Sequence, residues 1–395
     1  MSRIHGIQDS VVATYYLETK GNLGGVAKEL AVLETTGNWV ASGEPTTRYR
    51  QCVGEVLEVC PAGPGRGTIS LLYPIENMDI EASAFPNLWL SMIGGATFAL
   101  ASYERSRLID FSIPPAMMEK FAGPAFGIAE TRRLVGREKG ELLIGTIVKP
   151  TGGLAPEEVA DFAYQAALGG ICFIKDDEKM MNPPYCPLGR RVKLVSESLK
   201  RAEDRTGQRV LYAAHITTTP DRVVRRAIEA IENGATALMV NFFAAGFGAL
   251  EILRRHPDIN VPIYAHCGGR EAMGRAEGQG ISPSAIVKMV RLLGGDYFRA
   301  GMFESYLVDT PDDIRGMHEA AVGGWTSLTP ILPAVSGGLN PRTIGANVRG
   351  LGRDNLFLAG TGILTHPGGP KAGVEELQAA AEDALATRHP SDRTN

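Results

Sequence analysis

Gly169-Gly170-Ile171-Cys172-Phe173-Ile174-Lys175-Asp176-Asp177-Glu178 is a short apolar run that closes on a block of ionisable residues. A continuous, β-prone stretch of this length, flanked on both sides by segments of helical spacing, reads as a buried parallel strand. Side chains two apart on a strand share a face, so Lys175 and Asp177 point the same way, and Glu178 lies just past the strand, where the backbone can turn it inward. Two hard carboxylate oxygens suit Mg²⁺, which takes near-octahedral oxygen ligands and keeps positions for water or substrate. A lysine ammonium has no lone pair to offer, but a neutral amine that captures CO₂ becomes a carbamate and supplies a third anionic oxygen. Taken alone, the tetrapeptide reads equally as a surface salt-bridge cluster in a βα loop.

Working outward from it, the chain repeats one pattern from about residue 145: a short apolar strand, a polar or glycine-rich end, then an amphipathic stretch. The strands are expected at 145–150, 171–177, 209–217, 237–241, 261–267, 297–301, 331–338 and 356–362. Helical segments lie between them, among them 155–168, 221–233 and 282–293, the first opening on Pro156-Glu157-Glu158 as helix starts often do. Eight strictly alternating units argue for an α/β fold with a closed (β/α)₈ barrel, against the alternative of an open doubly wound sheet. A barrel demands that chemistry sit at the C-terminal strand ends. Those ends read Lys149, Lys175 with Asp177 and Glu178, His215, Asn241, His266, Arg299, Ser336-Gly337-Gly338 and Gly360-Thr361-Gly362, which favours the metal reading over the salt-bridge cluster.

The first part of the chain differs in character. Strands are expected at 11–18, 54–58 and 67–73, with helices at 23–34 and 88–104, so residues 1–135 are read as an α+β N-terminal domain and residues 136–395 as the barrel. With 395 residues, two domains are the prior, since single cores stop growing at roughly 250 to 300. A net charge of −4 offers no basic surface for nucleic acid, no segment approaches the ~18 apolar residues of a membrane span, and the opening lacks a secretory apolar region. A cytoplasmic location is therefore expected, in keeping with five cysteines, an odd number with no Cys-x-x-Cys pair. Cys172 is expected in the core and Cys186 as a loop thiol. The tail after Ala386 is expected to fray. His215 is either a substrate contact or a satisfied core histidine. Asn241 either orients a metal-bound water or caps the following helix.

Several motifs in order resemble the large subunit of ribulose bisphosphate carboxylase and its RuBisCO-like relatives: Gly145-Thr146-Ile147-Val148-Lys149-Pro150, the Gly-Gly-x-x-Phe-Ile-Lys-Asp-Asp-Glu block, Ser336-Gly337-Gly338, and Gly360-Thr361-Gly362 with His366-Pro367. Glu34-Thr35-Thr36-Gly37-Asn38-Trp39 resembles the family's N-terminal active-site motif, so the resemblance spans nearly the whole chain. It implies a carbamylated Lys175 completing a Mg²⁺ site with Asp177 and Glu178, a catalytic His266 beside the metal, and a catalytic Lys149 that handles substrate protons. It implies phosphate contacts from Ser336, Gly337, Gly338, Gly360 and Thr361, and a homodimer in which Asn38 and Trp39 reach into the partner's barrel. The chemistry implied is formation of an enediolate held on Mg²⁺ from a sugar phosphate.

The departures from the family pattern bear on the reaction. The position of the lysine that polarises CO₂ in true carboxylases aligns with Tyr306, so carboxylation of ribulose bisphosphate is not expected. Thr151 stands where carboxylases have a second lysine. The phosphate arginine expected after the barrel histidine is Cys267, for which Arg270 and Arg299 are the candidate substitutes. Ser91-Met92-Ile93-Gly94-Gly95 carries glycine where carboxylases have asparagine and the methionine-salvage enolases their base lysine. RuBisCO-like proteins lacking both lysines act on branched 3-oxo sugar acid phosphates in apionate degradation, either by decarboxylation or by carboxyl transfer with hydrolysis, and the chain is expected to act on 3-oxo-isoapionate 4-phosphate in one of these ways. The alternatives are a 2,3-diketo-5-methylthiopentyl-1-phosphate enolase or methylthioribulose-1-phosphate isomerase, for which Phe242, Phe243, Met302 and Phe303 would form a thioether slot, and a non-catalytic regulatory barrel.

Overall fold

Eight short apolar segments separated by amphipathic helices can bury both faces of each strand by closing on themselves, with the helices outside. The computed structural model describes residues 6–40 and 42–386. The tail beyond Ala386 and residues 1–5, where a leader would begin, lie outside the described residues. Strands, in chain order, are β1 (Ser10–Thr19), β2 (Glu55–Gly63), β3 (Arg66–Pro74), β4 (Tyr103–Ser112), β5 (Leu143–Ile147), β6 (Phe173–Lys175), β7 (Leu211–His215), β8 (Ala237–Asn241), β9 (Ile263–His266), β10 (Gly280–Ile281), β11 (Tyr297–Arg299), β12 (Leu332–Val335) and β13 (Leu356–Ala359). The chain folds as two compact units, one drawn from residues up to 122 with 269–292 and 324–326, the other from 123–268, 293–323 and 327 onward.

In the second unit β5 to β9 and β11 to β13 form a closed, all-parallel barrel in the order β11-β12-β13-β5-β6-β7-β8-β9. All eight expected strands are present, but most stop short of the predicted ends: β5 ends at Ile147 rather than residue 150, and β6 at Lys175 rather than 177. The polar residues at those ends leave the ladder to form the mouth of the barrel. Helices Pro156–Leu168 and Pro220–Glu232 fall within one residue of expectation. Leu143, Phe173, Leu211, Ala213, Met239, Tyr264, Tyr297, Leu332 and Leu358 belong to the buried core of the barrel. Phe173 meets Tyr297 edge-on at 5.3 Å and Tyr264 at 6.3 Å, an aromatic plug worth roughly 1.5–3 kcal/mol of burial per ring. Gly145 makes room for it: a Cβ there would lie 2.6 Å from the Phe173 carbonyl oxygen and 2.8 Å from Leu358 Cδ2. Helix Gly127–Val135 closes the opposite end, with Val135 in the same core and Thr131 Oγ1 3.0 Å from the Tyr297 hydroxyl.

The first unit is a five-stranded sheet ordered β10-β4-β1-β3-β2, antiparallel except for the short β10. Strand β1 alternates strictly, with Val11, Ala13, Tyr15 and Leu17 fully buried, which marks a sheet with one packed face. One expectation is overturned here. The helix expected at 88–104 begins and ends earlier, at Ile80–Met92, and β4 takes up the chain from Tyr103. Gly94 and Gly95 stop the helix, and Ser106, Leu108 and Phe111 then give β4 a buried face. Among the described residues no helix is long and apolar enough to cross a membrane.

Candidate active site

Two residues before each chemistry-bearing side chain at the barrel mouth sits a member of the barrel's buried filling. Phe173 precedes Lys175, Ala213 precedes His215, Met239 precedes Asn241, Tyr264 precedes His266 and Tyr297 precedes Arg299. Strand alternation carries the inward face forward, so these five side chains stand on one packed, apolar floor.

Lys175 is only 2% exposed. Its Nζ meets the Asp176 carbonyl oxygen at 3.2 Å and Met239 Sδ at 3.6 Å, and lies 5.4 Å from the Tyr264 ring centre. Burial pushes its pKa down, and although Glu178 and Asp177 oppose this, the amine stays below the ordinary lysine value. Sequence adjacency suggests the reverse, because two neighbouring acids favour the ammonium; the dry floor outweighs them. Glu178 goes the other way. Burial raises it, but its own backbone N–H, Lys175 and Lys149 hold it below the usual carboxylate range.

Asp176 and Asp177 have opposite duties. Asp176, completely buried, accepts Arg191 Nε at 3.2 Å and Nη2 at 3.0 Å, the Tyr212 hydroxyl at 2.9 Å and the His215 N–H at 2.9 Å. Arg191 also donates to the carbonyls of Met180, Met181 and Cys186, clamping the loop that follows Glu178. Cys186 is thereby a loop thiol as expected, but a buried one, and all five cysteines are free. Asp177 Oδ2 instead accepts Lys149 Nζ at 2.5 Å, while Oδ1 takes the Lys179 N–H at 3.2 Å. The ion pair of Lys149 is thus with Asp177. Its stem lies along Gly360, where a Cβ would sit 3.4 Å from Lys149 Cγ.

His266 Nε2 faces Glu178 Oε2 at 3.9 Å. Burial, with Lys175 and Arg299 nearby, drives its pKa well below the ordinary histidine value. Asn241 caps the short helix Phe242–Ala245 by accepting from Phe243 N and Ala244 N, and its Nδ2 lies 3.4 Å from His266 Nδ1. Both ring nitrogens of His215 have partners, the Asp177 carbonyl at 3.2 Å and Thr217 Oγ1 at 2.6 Å, which makes it a satisfied core histidine.

The turn after β12 is shaped for close approach. Gly337 and Gly338 have φ of 127° and 109°, and a Cβ on either would press on Leu307 and Ser305, or on Tyr306. The loop after β11 lies over this turn, Ser305 Oγ donating to the Gly337 carbonyl at 2.7 Å, with the Tyr306 residue 81% exposed. Ser336 is buried, and Thr361 begins the short helix Thr361–Leu364 after Gly360. Arg299 pairs with Asp309 at 3.1 Å. Met302 and Phe242 are buried packing, Phe303 is pinned between Asn347 and Gly350, and Phe243 is half-buried against Phe242 and Phe247.

The barrel therefore brings together Lys149, Lys175, Asp177, Glu178, His266, Gly360 and Asn241. Three candidates belong to the other unit: Asn38, which is exposed; Trp39, whose Nε1 donates to the Gly43 carbonyl at 3.1 Å and whose ring meets Tyr49 edge-on; and Arg270, paired with Glu271 at 2.9 Å. In that unit Glu34 accepts from Thr97 N and Oγ1, and a Cβ on Gly95 would fall 1.7 Å from Glu34 Oε2.

Among the described residues no three His, Cys, Asp or Glu side chains group as metal ligands. Asp177 and Glu178 supply two anionic groups, and Lys175 as a carbamate would supply a third. A buried amine held toward its neutral form, with a carbonyl and a thioether as neighbours, has the chemistry that CO₂ capture requires, so the residues fit a carbamate and a divalent cation. Reading the sequence missed Arg191, Thr217 and Gly268. Only the strand parity of Asp176, opposite to that of Lys175, signals its outward, structural duty.

Residues 127–394 match the family model for the ribulose bisphosphate carboxylase large chain, catalytic domain, and residues 4–117 match that for its N-terminal domain. A 3-oxo-isoapionate-4-phosphate transcarboxylase/hydrolase of Xanthobacter autotrophicus is 33% identical over 96% of this chain and 95% of its own. A 3-oxo-isoapionate-4-phosphate decarboxylase of Rhizobium etli is 31% identical over 95% and 93%. The octameric ribulose-1,5-bisphosphate carboxylase/oxygenase of Pyrococcus horikoshii superposes with a TM-score of 0.90 at 27% identity, covering 98% of this chain and 90% of its own. The likeness thus spans carboxylases and enzymes of other name, and the choice between them is made at the site.

Proposed function

Since the chain belongs to the ribulose bisphosphate carboxylase large-chain family, we propose that it is a Mg²⁺-dependent RuBisCO-like enzyme that removes or transfers the carboxyl group of a phosphorylated branched 3-oxo sugar acid of the 3-oxo-isoapionate 4-phosphate type. The observation that carries this reading is the buried, ion-pair-poor amine of Lys175 beside Asp177 and Glu178, in a chain with Tyr306 at the carboxylase loop-lysine position. Lys175, as carbamate, would hold the cation with Asp177 and Glu178. When bound, the cation supplies Lewis-acid stabilisation of a developing oxyanion, worth several kcal/mol.

The remaining work falls to the chain's own groups. Amides of the Ser336–Gly338 turn and the Gly360–Thr361 helix start would take the phosphate, with Arg299 as supporting cation. Breaking the carbon–carboxyl bond leaves its electron pair on the former α-carbon as an enediolate. Lys149, as ammonium beside Asp177, would return a proton to that carbon and be reprotonated from solvent. His266 would hydrogen-bond the oxygen that gains charge. Asn38 and Trp39 would serve the partner's barrel in a homodimer, and the enzyme would work in the cytoplasm.

NMR of the enzyme with Mg²⁺, bicarbonate and 3-oxo-isoapionate 4-phosphate tests the reading. Loss of the carboxylate to a ketose phosphate would identify decarboxylation, and cleavage to glycolate and phosphoglycerate would identify transfer with hydrolysis. An unchanged substrate would overturn both.

The methylthio sugar phosphate reading lacks the enolases' base lysine at Gly95 and would take Lys149 or the carbamate as its base; a side chain at position 95 would also have to displace the Glu34 carboxylate. Gly95→Lys is expected to gain no proton-exchange activity on 2,3-diketo-5-methylthiopentyl 1-phosphate and to lose about 1–3 kcal/mol of stability by overpacking, read from urea unfolding. A stable variant that exchanges the substrate proton with D₂O would revive the enolase reading.

A further inference from the structure

Two histidines at the barrel mouth are held by partners whose hydrogen-bonding sense is fixed. A peptide N–H can only donate, and that of Gly268 reaches His266 Nδ1 at 3.2 Å. Asn241 Nδ2 approaches the same nitrogen at 3.4 Å. Which end of the Asn241 amide faces the ring is decided by its other contacts. Its Oδ1 accepts from Phe243 N and Ala244 N, both at 3.0 Å, and its Nδ2 donates to the Gly268 carbonyl at 2.9 Å. A flipped amide would set NH₂ against two N–H groups and an oxygen against a carbonyl. Donors therefore converge on Nδ1, and the neutral ring must carry its hydrogen on Nε2, the nitrogen facing Glu178. Glycine at 268 is what lets the amide come so close: a Cβ there would lie 2.9 Å from His266 Cε1 and 3.1 Å from Asn241 Nδ2.

His215 is wired the opposite way. Its Nδ1 faces the Asp177 backbone carbonyl at 3.2 Å, which only accepts, so the hydrogen is on Nδ1. Its Nε2 then receives the Thr217 hydroxyl at 2.6 Å, and Thr217 Oγ1 in turn accepts the Asn241 N–H at 2.8 Å. Asn241 joins both circuits, through its backbone in one and its side chain in the other.

We propose that Asn241 is a positioning residue that, together with the Gly268 amide, locks His266 as the Nε2–H tautomer, so that His266 offers the substrate a hydrogen-bond donor and not a base. The tautomer is a property of the chain itself, while the identity of the oxygen it serves rests on the carboxyl-chemistry reading. A base at this site must then be another group, and Lys149, paired with Asp177, is a candidate within the cluster.

The test is a long-range ¹H–¹⁵N correlation spectrum of the full-length protein labelled with ¹⁵N-histidine, with signals assigned by their loss in His266→Gln and His215→Gln. In the unsubstituted protein His266 is expected to show a bare Nδ1 and a protonated Nε2, and His215 the reverse pattern. Asn241→Asp keeps a cap acceptor for Phe243 and Ala244 but turns an acceptor toward the ring, so Nδ1 of His266 should gain a hydrogen. With it, kcat on 3-oxo-isoapionate 4-phosphate should fall about 10- to 100-fold with KM little changed. A hydrogen on Nδ1 of His266 in the unsubstituted protein overturns the proposal, as does a tautomer unmoved by Asn241→Asp. If the unsubstituted enzyme leaves this substrate untouched, the carboxyl-chemistry reading falls while the spectra still decide the tautomer.

Discussion

Lys175→Met is expected to abolish turnover, by about a thousandfold or more, while leaving the fold as stable as before or more so. The loss follows from removing the one amine able to complete the anionic set with Asp177 and Glu178; roughly 4 kcal/mol of transition-state stabilisation corresponds to that factor. The gain follows from the same burial. In the folded chain Lys175 has its pKa pushed down, so the unfolded chain binds the proton more tightly, and stability on this account rises with pH. The cost of Lys175 is therefore absent above the ordinary lysine value of about 10.4 and grows as pH falls below it, until the folded-state pKa is passed. Methionine, apolar and close in shape, carries no such cost. Urea unfolding of metal-free, CO₂-depleted protein across this pH range should show the variant's advantage shrinking as pH rises. A variant that retains activity would remove the carbamate from the mechanism.

Asp176→Ala should be the most damaging single change to stability at the site, at about 3–5 kcal/mol, because it strands the Arg191 guanidinium in the interior. It also leaves the Tyr212 hydroxyl and His215 N–H without their acceptor. The loop from Met180 to Cys186 hangs on Arg191 through three carbonyls, so the placing of Asp177 and Glu178 should suffer with it. Denaturant unfolding measures the first effect. The companion double replacement Asp176→Leu with Arg191→Met should recover the part of the loss due to the stranded charge, but not the part due to the Tyr212, His215 and loop-carbonyl hydrogen bonds. If Asp176→Ala alone unfolds like the unsubstituted protein, the ion pair is not what holds this loop.

Most of the barrel was legible because its signal is one-dimensional. Runs such as 237–241 are apolar on both faces and end in a polar residue, and β8 begins and ends where the pattern says. The ends of β5 and β6 were overread because Lys149 and Asp177 extend the alternation without joining the ladder. The helix Ile80–Met92 holds Pro86 in its interior and bends at Ser83, a local irregularity that side-chain spacing does not signal. Asn241 as a cap follows from its place before Phe242-Phe243, whereas its contact with His266 depends on two strands lying side by side. The protonation of Lys175 was the least legible quantity. Its neighbours in sequence are acids, but its neighbours in space are Met239 and Tyr264, contributed by other strands.

Gly95 leaves the Glu34 carboxylate its seat. The carboxylate occupies the volume that a side chain at position 95 would fill, and Thr97 secures it twice. A larger residue at position 95 must therefore displace the end of the Glu34 side chain, and in doing so it takes the acceptor away from Thr97. Positions 95, 34 and 97 thus act as one unit, in which a change at the first is felt at the third.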